Sequence, residues 1–125
     1  MRKLAATVAL VLLILGSAAP ASGHAQLVKA TPGLSAKVYA FPKQVTLMFT
    51  DELIDLADGN SITVTDPRGR KVSIEPTQVL GNQLVVKLRA SKLLGRYTVS
   101  YRVISEDGHP VASKYSFWLS KKPTR

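Results

Sequence analysis

The sequence predicts an all-β fold: a small antiparallel Greek-key β-sandwich or barrel, immunoglobulin-like, with about seven strands. Three observations predict it. Apolar residues alternate with polar ones at period 2 along several runs, the pattern of strands buried on one face. Clusters of Gly, Pro, Asn and Asp punctuate those runs at sandwich-like spacing. Once the first 23 residues are set aside, 102 of the 125 remain, one small domain with a core of limited size.

The first element is not part of the fold. Arg2 and Lys3 precede the apolar run Leu4–Leu15, and "GSAAPASG" follows at 16–23. This is the layout of a cleaved secretory signal, with Ala21 and Gly23 at −3 and −1. The run is short of the ~20 residues that span a bilayer. Cleavage before His24 gives a domain of residues 24–125 with no stable membrane insertion. No cysteine is available for lipid attachment, a disulfide or a thiolate ligand.

The strands follow in order. A weak one is expected at Gln26–Ala30. Gln44–Thr50, "QVTLMFT", turns Val45, Leu47 and Phe49 to one face, and Glu52–Ala57, "ELIDLA", has the look of a single helical turn. Ser61–Thr65 buries Ile62 and Val64, and a second weak strand lies at Arg70–Glu75. Gln83–Arg89 buries Leu84, Val86 and Leu88. Arg96–Ile104 buries Tyr97, Val99, Tyr101 and Val103 and exposes Arg102. Lys114–Ser120 buries Tyr115, Phe117 and Leu119, leaving Trp118 on the outer face under a loop or the chain end. "TPGLS", "FP", "ADGN", "DPRGR", "LGN" and "DGHP" supply the turns.

Loss of Arg2 and Lys3 lowers the formal net charge from +9 to +7. For an exported chain this points away from nucleic acid. A solvated basic surface is its simplest reading, and anionic lipid or an acidic partner surface the next. The basic residues look scattered apart from the tail "KKPTR", which is expected to fray. There is no phosphate loop, no G-x-S-x-G and no Cys–His pair.

The chain has two histidines, and both suit one metal site. In Asp107-Gly108-His109-Pro110 a locally extended chain would point the carboxylate and the imidazole the same way. His24, once at a free N-terminus, chelates through its amine and its ring Nδ1. The amine pKa of about 8 lets a strongly bound metal displace its proton at neutral pH. Two imidazoles, an amine and a carboxylate make a tetragonal N,O set, the preference of Cu(II). "DELID" at 51–55 with Asp58 reads as a solvated acidic loop, with Asp51 set apart below.

These residues give the chain its resemblance to a family. His24, "ATPGLSAKV" at 30–38, the P-x-x-V-x-L-x-F run from Pro42 to Phe49 and "VISEDGHPVASKYSF" at 103–117 resemble the CopC family of periplasmic copper-resistance proteins. The resemblance covers essentially all of residues 24–125. It implies a periplasmic or otherwise extracytoplasmic monomer that binds one Cu(II) per chain. The metal ligands it implies are His24, Asp107 and His109, with Asp51 bonded to a ligand from behind. It implies copper sequestration, homeostasis or delivery, and a CopD-like inner-membrane copper transporter as partner. The mature chain departs from the family in lacking the methionine-rich Cu(I) loop: its single methionine, Met48, sits mid-strand as a packing residue. Glu52 stands where Pro is usual and Ser113 where Gly is usual. The rival readings are a metal-free adapter domain and a histidine-brace copper oxidase. The fourth ligand argues against the oxidase, and no enzymatic activity is expected.

Overall fold

The computed structural model describes residues 25–56 and 58–124. The signal segment 1–23 and His24 lie outside the described residues. Among the described residues no helix is long and apolar enough to cross a membrane.

Among the described residues eight strands form two four-stranded sheets. They are β1 (Leu27–Thr31), β2 (Lys37–Val38), β3 (Gln44–Phe49), β4 (Ser61–Thr65), β5 (Ser73–Leu80), β6 (Gln83–Leu88), β7 (Gly95–Ile104) and β8 (Pro110–Leu119). One sheet has the order β1-β3-β6-β5, the other β2-β8-β7-β4. Every pairing is antiparallel except β2 with β8.

Period-2 alternation turns directly into the core. Val45, Leu47, Phe49, Leu84 and Val86 of one sheet face Ile62, Val64, Tyr97, Val99, Val103 and Phe117 of the other, all buried. Aromatic rings fill one half: Tyr97 stacks on Phe117 at 5.3 Å and Phe41 leans on Tyr97 at 5.0 Å. Phenol oxygens in such a core need partners. Tyr97 donates to Leu93 O at 2.7 Å, and Tyr115 donates to Pro32 O at 2.8 Å. Burial pushes the Tyr115 phenol well above its ordinary pKa, so it stays a donor. Tyr101 is only half-buried, meeting Phe49 edge-on at 5.6 Å. Trp118 is half-buried beside Lys37 of β2.

Four details differ from the sequence reading. Strand β2 has two residues, too few to show a period. Strand β5 runs 73–80 rather than 70–75 because residues 66–70 close into a turn. There Asp66 N donates to Arg70 O at 2.8 Å, and the Asp66 carboxylate accepts N–H groups from Arg68 and Arg70. Strand β8 starts at Pro110 because the hairpin stays in register up to Ile104↔Pro110. The described part of 52–57 forms no helix. Leu53 N donates to Gly81 O, Ile54 N donates to Ile104 O, and Leu53 bridges Ser105. With its donors used across the fold, the segment has no i→i−4 ladder to build.

Strand β4 is the edge of its sheet, and its outward donors go to side chains of β5 rather than to a backbone ladder. Ile62 N donates to Thr77 Oγ1 and Val64 N to Ser73 Oγ, both at 3.0 Å.

Candidate metal centre

The antiparallel order puts four pieces of chain at one end of the sandwich. Phe49 of β3 pairs with Leu27 at the start of β1, and Gly81–Asn82 turns β5 into β6 beside them. The isolated bridge Leu53↔Ser105 joins the β3–β4 loop to the end of β7, where the β7–β8 hairpin turns.

Asp107 and His109 sit in that turn. Gly108 N donates to Ser105 O at 2.9 Å, and Gly108 has φ +80°, a left-handed conformation that favours glycine. The local chain is therefore a tight turn, not the extended segment expected from sequence. The two side chains still converge, because Asp107 folds back on the turn. Its Oδ1 accepts the Ser105 hydroxyl at 2.7 Å and the His109 backbone N–H at 2.9 Å. Its Oδ2 lies 3.5 Å from His109 Nδ1.

The His109 N–H and then the Ser105 hydroxyl hold the Asp107 carboxyl below the usual carboxylate range, against a smaller opposing effect of burial. The charged form is thus favoured. The His109 side chain is 68% exposed and the Asp107 side chain 23%. The imidazole reaches solvent while the carboxylate is held.

The surrounding loop is fixed by amides. Asn60 is buried; its Nδ2 donates to Ile54 O at 2.5 Å and its Oδ1 accepts Ile104 N at 2.9 Å. Asn82 Nδ2 donates to Phe49 O at 2.9 Å. Thr50 holds the start of the described chain: Gln26 N donates to Thr50 Oγ1 at 3.0 Å and Thr50 N to Gln26 O at 2.8 Å. Ala25 is buried in the core cluster.

Of the four sequence-derived site residues, Asp107 and His109 are brought together. Asp51 is half-buried and directly follows the Thr50 clamp. His24 is the residue before the buried Ala25. Among the described residues no group of three or more His, Cys, Asp or Glu stands together to hold a metal. Sequence reasoning passed over Ser105 and Asn60. A Ser two residues before an Asp in a turn is a readable local signal. Asn60 acts across 44 residues to Ile104 and leaves no local trace.

Fold and site together define a class: a two-sheet β-sandwich with a carboxylate–imidazole hairpin at the end where its described chain begins. The CopC domain family model matches residues 27–120, and the chain belongs to the CopC family. It is 33% identical over 124 residues to Copper resistance protein C of Xanthomonas campestris pv. juglandis, covering 93% of this chain and 94% of that one. It is 33% identical over 97 residues to Protein YobA of Escherichia coli K12, covering 75% and 77%. Crystallised CopC from Methylosinus trichosporium OB3b superposes with TM-score 0.70 at 30% identity, over 82% of this chain and 99% of that one. The methionine-rich copper-resistance protein PcoC of Escherichia coli shares the fold, with TM-score 0.65 at 23% identity over 78% and 100%.

Proposed function

We propose that this is an exported Cu(II)-binding protein with its metal held by the mature N-terminus and the Asp107–His109 turn. The observation that carries the reading is the convergence of Asp107 and His109 at the end where Gln26 is clamped to Thr50. Ala25, the residue that follows His24 in sequence, is buried beside that clamp. The donor set is the His24 amine and imidazole, the His109 imidazole and the Asp107 carboxylate. It suits one Cu(II) per chain. Removal of residues 1–23 creates the amine, so the full ligand set exists only after export.

The copper-resistance relatives support copper as the cargo, and the signal-like layout of residues 1–23 supports a place outside the inner membrane. The chain works as a monomer that sequesters copper or passes it to a membrane transporter of CopD type, and it catalyses no reaction. Asp51, beside the Thr50 clamp, orients a ligand rather than binding metal.

The test is an EPR-monitored Cu(II) titration of residues 24–125 with authentic His24, beside the same protein bearing one extra N-terminal residue. One tight type 2 site that is weakened by the extra residue is the expected result. Identical spectra from both proteins remove His24 from the site.

A further inference from the structure

The basic residues that look scattered in the sequence are sorted by the fold. Around the candidate metal centre, segments 25–28, 50–61, 80–84 and 103–111 contain no Lys or Arg, and Arg102, at their border, reaches Asp58 O. The segments hold six of the eight acidic residues: Asp51, Glu52, Asp55, Asp58, Glu106 and Asp107. The opposite end gathers Lys43, Arg68, Arg70, Lys71, Arg89, Lys92, Lys121 and Lys122. Asp66 and Glu75 pair with Arg70 and Lys71 there, which leaves a strong cationic excess.

That end also carries apolar surface. Tyr39 and Leu94 are about half exposed, at 49% and 52%. They line one open cleft of about 310 Å³ with Phe41, Lys92, Lys121 and Lys122. Ser91 lines both this cleft and a neighbouring one lined by Arg70, Lys71, Arg89 and Asp66, so the two adjoin on one predominantly basic face. An aromatic ring and a leucine ringed by lysines match a bilayer interface, where apolar groups enter the headgroup layer and ammonium groups meet lipid phosphates. An acidic protein would also satisfy the charges; the small exposed leucine–tyrosine pair inside a rim of lysines favours the headgroup layer of a lipid surface.

We infer that this pole docks on an anionic phospholipid surface, with Leu94 and Tyr39 seated among headgroups and Lys92, Lys121 and Lys122 on phosphates. Strand β7 spans residues 95–104 between the two ends. At about 3.3 Å per residue, docking holds the metal end roughly 30 Å off the bilayer, facing the compartment. The inference requires only that the chain is exported; it does not require copper.

The test is co-sedimentation of the exported, processed protein with vesicles of equimolar phosphatidylglycerol and phosphatidylcholine, beside pure phosphatidylcholine. Binding to the anionic vesicles alone is expected. Each basic residue at such a surface contributes about 1 kcal/mol, roughly fivefold. Lys92→Gln, Lys121→Gln and Lys122→Gln together should then weaken partition on the order of 100-fold. Leu94→Ser should weaken it on the order of tenfold. Cu(II) titration of the same samples should be unchanged by these variants, which shows that they are folded. Absence of partition onto anionic vesicles overturns the inference, and binding to polyglutamate in its place assigns the pole to an acidic protein. Partition that neither the triple variant nor Leu94→Ser weakens also overturns it. Failure of the wild-type protein to bind copper sinks the copper reading and leaves this result standing.

Discussion

The two ends of the sandwich are held together by different means. The far end is packed with rings, with Phe41, Tyr97 and Phe117 in mutual contact and the Tyr97 hydroxyl bonded to Leu93. The end that carries the Asp107–His109 turn is cross-linked by polar groups: Asn60, Asn82, Thr50 and Ser105 each tie one loop to another or to a strand end. Ring packing gains from area removed from water and tolerates little change of shape. Hydrogen-bonded loops fix direction at modest net energy. Stacked rings thus dominate one end, whereas at the other the Phe49–Tyr101 pair shares the work with loops held in fixed direction.

The largest effect should come from breaking the ring end. Phe117→Ala should cost about 3–5 kcal/mol in urea denaturation, while the folded fraction keeps an unchanged Cu(II) EPR spectrum. A changed spectrum would show that the ends are not separable. His109→Ala should do the opposite. Competition titration should show copper affinity lower by more than about 100-fold, beyond what loss of a supporting group costs, with stability within about 0.5 kcal/mol of wild type because the side chain is exposed.

Asn60→Ala sharpens the comparison, because Asn60 acts on both properties. It leaves Ile54 O and Ile104 N without their amide partner. It should cost about 1–3 kcal/mol and lower copper affinity about tenfold through the displaced hairpin. The smallest effect concerns Asp66 at the basic end. Burial pushes its carboxyl up, but the backbone N–H groups of Arg70 and Arg68 and the Arg70 guanidinium together outweigh it, and the pKa lies below its ordinary value. The contribution of Asp66 is therefore present above about pH 4 and lost as pH falls through the depressed value. Asp66→Asn should be slightly less stable at neutral pH and show a shallower decline in urea midpoint below about pH 4.

The strands with strict alternation were legible, down to the buried set Val45, Leu47, Phe49, Leu84, Val86, Val99 and Val103. Elements set by tertiary contact were not. Two residues at Lys37–Val38 become a strand only because β8 lies alongside, and "ELIDLA" is drawn out of a helical turn by Gly81 and Ile104. At the site, the Asp107–His109 pairing was readable from spacing, although the backbone achieves it through a turn. Charge sorting was hidden for the same reason as Asn60: residues far apart in sequence meet only when both sheets exist.

Strand β4 donates its outward N–H groups to the Ser73 and Thr77 hydroxyls. The other sheet margins are interrupted too. Strand β2 has two residues, β1 slips register between Leu27 and Lys29, and β5 slips between Ile74 and Gln78 around Pro76, which has no N–H to offer. Among the described residues no margin presents a long unbroken ladder to a second copy. A chain with no cysteine to form disulfides is thereby protected against growing into fibres strand by strand. The hydroxyls of Ser73 and Thr77 serve solubility as much as structure.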